Sequence, residues 1–138
     1  MIELAEKMHK ESNFRDLDFS KAKLDLLAKQ FLADEDHFMA IVAEDENKCI
    51  LGMLVGFITE YYFGNDAYAS DLALYVDKSR RGAMASVRMF KEFEKWAIRK
   101  NAKEVRPGTS TGIEIKRTRK LYTHLGYEIT GNTFRKVL

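Results

Sequence analysis

The chain has 138 residues, of which 46% are hydrophobic and 32% charged, with a formal net charge of +2 and one cysteine. This composition fits one soluble globular domain long enough for a core of its own. No stretch approaches the roughly 20 apolar residues of a membrane helix. The acidic start Met1-Ile2-Glu3-Leu4-Ala5-Glu6 lacks the basic head and apolar run of a secretory signal.

The lone Cys49 excludes an internal disulfide, fits a reducing cytoplasm, and is expected to be a small buried strand residue. Three histidines and one cysteine without ligand spacing argue against a metal enzyme. The net charge hides an asymmetry. Residues 1–70 hold 7 Lys and Arg against 14 Asp and Glu, a balance of −7, and residues 71–138 hold 16 against 7, a balance of +9. A basic half suggests an anionic ligand, although solvated helix faces explain part of the excess.

Residues 2–12 are weakly helical, with Leu4 and Met8 four apart. A better helix spans residues 20–33: Ser20 can serve as N-cap, and Leu24, Leu27, Phe31 and Leu32 share a face. Phe38 to Glu44 reads as a strand, Asp45-Glu46-Asn47-Lys48 as a polar turn, and Cys49 to Glu60 as a second strand. The run from Ile50 to Ile58 is apolar on both faces, which suits the middle of a covered sheet. Phe63-Gly64-Asn65-Asp66 turns the chain into a third strand, Ala67 to Val76. There Leu72, Leu74 and Val76 alternate with Asp71, Ala73 and Tyr75.

A long helix is expected from about Ala83 to Lys100, with Met84, Val87, Phe90, Phe93 and Ala97 as its buried stripe, helped by Trp96. Lys103 to Arg106 begins a strand that Pro107-Gly108 disturbs, because proline cannot donate to a ladder. Thr109 to Gly112 is loop-like. A helix from Glu114 to Leu125 stops at Gly126, a natural C-cap. Tyr127 to Thr130 and Thr133 to Leu138 read as two strands around a turn at Gly131-Asn132. The order is that of an α/β or α+β layer structure with mixed strand directions, without a linker or repeat.

Two motifs stand out. Val76-Asp77-Lys78-Ser79-Arg80-Arg81-Gly82-Ala83-Met84-Ala85 leads from a strand through a basic turn into a helix. Helix N-termini carry unsatisfied N–H groups and partial positive charge, and a glycine admits a bulky anion to the backbone. With two arginines this is a candidate pyrophosphate site, or else a solvated turn. The second motif is Leu121-Tyr122-Thr123-His124-Leu125-Gly126-Tyr127.

With the motifs so placed, nearly the whole chain resembles the GNAT N-acetyltransferase superfamily. That family's acyl-CoA motif is Arg or Gln, two variable residues, Gly, one variable residue, then Gly or Ala. It falls on Arg80 to Ala85, with Ala83 replacing the middle glycine. The family's aliphatic residue and Tyr, followed by Gly-Phe or Gly-Tyr, appear as Leu121-Tyr122 and Gly126-Tyr127. The Asn often found seven residues before this Tyr is Ile115 here. The chain's style, including Glu11-Ser12-Asn13-Phe14-Arg15, looks like small GNAT proteins of bacteriophages.

The resemblance implies one GNAT-like domain over residues 1–138 and a mixed, mostly antiparallel sheet of six to seven strands. About four helices would flank that sheet, and its fourth and fifth strands, those around the long helix, would splay apart. It implies acetyl-CoA as acyl donor, a small-molecule or protein amine as acceptor, and pairing of two copies through C-terminal strands. The pyrophosphate would lie on the N–H groups of Arg81, Gly82, Ala83, Met84 and Ala85, with charge from Arg80 and Arg81. The pantetheine arm would run along Leu74, Tyr75 and Val76, and Thr118 joins these cofactor residues. A strand N–H near Val76 would stabilise the oxyanion, and Tyr122 would be the general acid.

For the base, Asp71 leads and Glu60 is the reserve, while Asp71 reads equally as a solvated strand residue. His37 and His124 read as surface residues. The acidic runs Asp34-Glu35-Asp36 and Glu44-Asp45-Glu46 could attract a cationic acceptor. Two other readings stand beside the enzyme. One is a nucleic-acid binder using Arg80, Arg81, Lys116, Arg117, Arg119 and Lys120, although no recognised nucleic-acid motif is present. The other is a GNAT-fold interaction module that binds acyl-CoA weakly, a reading that Ala83 and Ile115 favour.

Overall fold

A computed structural model describes residues 1–81 and 84–138, so Gly82 and Ala83 lie outside the described residues. Helices α1 (Ile2–Glu11) and α2 (Lys21–Ala33) are followed by strands β1 (Phe38–Glu44), β2 (Ile50–Glu60) and β3 (Ala67–Val76). After a short 3-10 turn at Lys78–Arg80 come α3 (Ala85–Arg99), β4 (Glu104–Val105) and α4 (Ile115–His124). The sheet order is β1-β2-β3-β4. The first three strands are antiparallel, and β4 runs parallel to β3.

The apolar run of β2 lies at the centre, where Gly52, Met53, Leu54, Gly56 and Ile58 are buried. One sheet face packs on α3 through Leu54, Ile58, Ala69 and Val76 against Phe90, Phe93 and Trp96. The other buries Met53 and Tyr75 under Leu4 of α1. Ser20 caps α2 as expected, its Oγ accepting from Lys23 N–H at 3.2 Å.

The sheet has four strands among the described residues, not six to seven. Tyr127 to Thr130 and Thr133 to Leu138 have strand-like alternation but no ladder partner, and Ile129, Phe134, Val137 and Leu138 stay exposed. The edge strand β4 is only two residues long, so it offers little ladder for a further strand to pair with. The Arg135 guanidinium donates to the Asn13 carbonyl and ties this segment to the chain after α1.

Three smaller expectations are also corrected. Cys49 is exposed, because Asp45 Oδ1 accepts its N–H at 2.9 Å and holds it in the turn before β2. Met84 is the exposed residue before α3, and the buried stripe is Ala85, Met89, Phe90, Phe93, Trp96 and Ala97. No residue of α2 is fully buried, and Leu32 points outward at 68% exposure.

Candidate active site

The alternation read for β3 breaks at one residue. Leu54 pairs with Leu74 and Val55 with Ala73, but Gly56 pairs with Asp71, so Leu72 is bulged out. Leu72 is 52% exposed. A bulge inserts one residue and reverses which face the following side chains take. Ala69 and Asp71 therefore share the α3 face with Leu74 and Val76, not the face of Ala73 and Tyr75.

The same region is where β3 and β4 part. Their pairing is confined to Tyr68 with Glu104 and Ala69 with Val105. The next contacts are made by side chains: Ser70 Oγ donates to the Arg106 carbonyl at 2.7 Å, and Asp71 Oδ1 accepts from Gly108 N–H at 2.8 Å. Pro107 has no N–H to offer. Beyond Asp71 the strands diverge around a cleft of about 310 Å3. Residues Asp71 to Val76 form one wall and Gly108 to Thr111 the other, with Ser86 and Val87 of α3 and Thr118 and Tyr122 of α4 lining the rest.

Gly112, beside this loop, has φ +76°, and a Cβ there would meet Asn13 Nδ2 at 2.2 Å. Asn13 N–H also donates to the Thr111 carbonyl at 2.8 Å, so the chain after α1 holds the cleft's outer loop.

Tyr122 is 8% exposed. Its ring lies 5.1 Å from that of Phe90 and 5.8 Å from that of Tyr127, and its hydroxyl donates to the Gly108 carbonyl at 3.4 Å. Burial raises its pKa above the usual phenol value, with the Asp71 carboxylate and Tyr127 adding to the rise. The hydroxyl is thus a held proton. Burial also raises the Asp71 pKa, against the opposing pull of the Gly108 N–H. A carboxylate so raised is a better proton acceptor than one in water.

At the other end of the cleft, Tyr75 C=O points towards Gly52 of β2, and Asp77 N–H donates to Leu51 C=O at 2.8 Å. Along an extended chain the Val76 N–H and C=O then face away from β2, on the cleft side. Helix α3 begins with Met84 as N-cap and no side-chain cap. The first-turn N–H groups of Ala85, Ser86 and Val87 have no acceptor within the helix.

The two arginines of the turn have partners. Arg81 makes a bidentate pair with Glu11 at 2.5 and 2.6 Å, stacks 5.4 Å from the centre of the Tyr75 ring, and donates from Nε to the Val76 carbonyl at 3.2 Å. Arg80 Nη2 lies 3.6 Å from Asp45 Oδ2. Tyr75 Oη donates to Glu11 Oε2 at 3.0 Å, and burial with this carboxylate pushes its pKa up to about 12.

Among the residues expected at the site, Asp71, Leu74, Tyr75, Val76, Arg81, Met84, Thr118 and Tyr122 meet around the cleft, with Ala85 buried at the start of α3. Arg80 and Glu60 do not line it, and Glu60 is exposed at the far end of β2, opposite Ala67. Gly82 and Ala83 lie outside the described residues. His37 and His124 are exposed, His37 pairing with Asp34 at 2.9 Å. No cluster of metal ligands occurs among the described residues. Glu11 and Gly108 were not singled out for the site in the sequence: Glu11 meets Arg81 across 70 residues of chain, and Gly108 contributes only backbone.

No family model matches the chain, and no curated protein sequence does. Solved structures do match its fold. An aminoglycoside acetyltransferase from an uncultured soil metagenomic sample superposes with TM-score 0.75 at 17% identity, over 100% of this chain and 90% of that one. AAC(6')-Iy in complex with the bisubstrate analog CoA-S-monomethyl-acetylneamine gives 0.74 at 19%, over 99% and 92%. Glucosamine-6-phosphate N-acetyltransferase from Arabidopsis thaliana gives 0.74 at 15%, over 99% and 88%. At these identities the likeness is one of architecture: the chain has the fold of the GNAT acetyltransferases.

Proposed function

We propose that this chain is an N-acetyltransferase that moves the acetyl group of acetyl-CoA to an amine by direct attack. The observation that carries the reading is the cleft between β3 and β4. It brings the uncapped start of α3, the outward edge of Val76 and the buried Tyr122 hydroxyl to one opening.

The donor set fits an acyl-CoA. The first-turn N–H groups of α3, which have no side-chain cap among the described residues, suit a diphosphate. The cleft-side edge from Leu74 to the Val76 N–H, short of the Val76 carbonyl that Arg81 holds, suits an extended amide-bearing arm, which would bind as an added strand. The bound donor would supply a thioester carbonyl open to attack. Val76 N–H is the donor for the oxygen charge that develops on attack. Asp71 accepts a proton from the incoming amine, directly or through water, because an amine with pKa near about 10.4 is mostly protonated at neutral pH. Tyr122 gives its proton to the departing thiolate. Its raised pKa makes this unfavourable for a free phenol, so positioning must supply the catalysis.

The acceptor is proposed to be a cationic amine, a small molecule or a protein side chain. The acidic first half of the chain supports this, as does the fact that two similar folds bear the name aminoglycoside acetyltransferase. The lone cysteine fits a cytoplasmic location, and no helix among the described residues is long and apolar enough to cross a membrane. A second reading, a GNAT-fold module that binds acyl-CoA weakly, is favoured by the pairing of Arg80 and Arg81 with carboxylates.

Calorimetric titration with acetyl-CoA, CoA and ATP tests the proposal. Micromolar binding of acetyl-CoA, clearly tighter than ATP, supports the enzyme. No binding to the folded protein leaves the interaction module.

A further inference from the structure

We infer that Arg81 is a positioning residue for the Val76 peptide, held in place by Glu11, and not a ligand of the donor's diphosphate. The inference rests on the acetyltransferase reading, because it assigns Arg81 a place in that site.

All three nitrogens of the guanidinium are in use. Nη1 and Nη2 take the two oxygens of Glu11, and Nε takes the Val76 carbonyl. The side chain is 11% exposed, with Glu114 Oε1 a further 3.9 Å from Nη1. A diphosphate would have to displace a bidentate carboxylate, and the Arg81 charge is already balanced by Glu11.

The bond to Val76 is the one with a consequence for chemistry. The Val76–Asp77 peptide is pinned on both sides: Asp77 N–H donates to Leu51 C=O on β2, and Val76 C=O accepts from Arg81 on the cleft side. On the side away from β2, β3 has no strand neighbour here among the described residues, and Arg81 takes the place of the next strand. Fixing this peptide also fixes the adjoining one, whose Val76 N–H faces the cleft. Glu11 orients the fork, and Tyr75 supports both by stacking under Arg81 and donating to Glu11.

Arg81→Lys separates the two roles. Lysine keeps the charge a diphosphate would need but loses the planar fork that joins Glu11 to Val76. The readouts are the Kd of CoA by calorimetry, and kcat from acetyl-CoA consumption with spermine, neamine or water as acceptor. We expect the Kd of CoA to stay within about twofold while kcat falls by about tenfold or more, as small misplacements of a reacting geometry do. Glu11→Gln should give the same split, and the double variant should be no worse than either single one. Circular dichroism and thermal unfolding check that each variant folds. Should Glu11→Gln fail to fold, Arg81→Lys alone decides.

A weakened CoA Kd with kcat unchanged would make Arg81 a diphosphate ligand and overturn the inference, as would no change in either quantity. Failure of the wild-type protein to bind acetyl-CoA would instead remove the enzyme reading, and this inference with it.

Discussion

The Asp71 carboxylate and the Tyr122 hydroxyl hold the two ends of one residue. Asp71 Oδ1 accepts from the Gly108 N–H at 2.8 Å, and Tyr122 Oη donates to the Gly108 carbonyl at 3.4 Å. Gly108 follows Pro107, at the point where β4 stops pairing with β3. The clamp closes the narrow end of the cleft and sets the two titratable groups of the proposed chemistry side by side. Each group pays for burial in its charged form, so Asp71 and Tyr122 both hold their protons more tightly than in water.

Tyr122→Phe removes only the hydroxyl. Its bond to Gly108 is long, so the loss of stability should be about 1 kcal/mol or less. Turnover should fall by about a hundredfold, in line with removal of a general acid, while the Kd of CoA stays within about twofold. Steady-state rates beside a CoA titration check this, and a variant with wild-type turnover removes Tyr122 as the acid.

Asp71→Asn tests the base through two pH profiles. In the rate profile, wild-type activity should rise with pH through the Asp71 pKa, with its acidic limb above the ordinary carboxylate range. The variant should lose both rate and limb. The stability profile has the opposite sense. A raised folded pKa gives stability that is complete below the unfolded value of about 3.9 and is lost as pH rises through the folded value. Asparagine has no charge to desolvate and can still accept from Gly108. The variant should therefore unfold at a higher temperature than wild type at pH 7, with the gap closing in acid. A lower unfolding temperature at neutral pH would mean that the carboxylate is stabilised where it lies.

The order of elements was legible because each leaves a periodic or punctuating mark: the stripe around Phe90 and Phe93, the cap at Ser20, the stops at Pro107 and Gly126. The gap between β3 and β4 was legible through the resemblance and through Pro107. Other features needed pairing that sequence does not display. The bulge at Leu72 is invisible in the alternation of β3, since it exists only against the register of β2. The Arg81–Glu11 pair is invisible because 70 residues separate its partners. The last two segments alternate like strands without pairing as strands. Alternation shows what a segment could bury, but Phe134, at 90% exposure, finds no neighbour to bury it.

Acid should weaken the tie between α1 and the turn after β3. Hydrogen bonding from Lys7, with further bonds from Ser79, holds the Asp77 pKa down from 3.8 to about 2. A depressed folded value gives stability that is present above the unfolded pKa and lost as pH falls through the folded one. Thermal unfolding of the wild type should therefore drop between about pH 4 and pH 2. Asp77→Asn should be less stable at pH 7 and show a shallower drop over that window. Equal slopes for the two proteins would show that Asp77 is not paired in solution. Because Lys7 is exposed, raising the salt should shrink only part of the difference, the remainder belonging to the Ser79 bonds.

Gly56 lies opposite Asp71 in the sheet and directly under Phe93 of α3. A Cβ at Gly56 would meet Phe93 Cε2 at 2.2 Å and two further ring atoms at 2.9 Å. Phe93 has no room to yield. It is 0% exposed and packed between Phe90 at 5.8 Å and Trp96 at 5.7 Å. Gly56→Ala should therefore lower the free energy of unfolding by about 1–3 kcal/mol, as overpacking of a filled core does. Urea unfolding measures this directly. Pairing it with Phe93→Leu, which removes ring atoms from the contact, should recover part of the loss relative to the sum of the single changes. If the two losses simply add, α3 does not rest on β2 at this point. The bulge that turns Asp71 towards the cleft would then lack the packing that supports it.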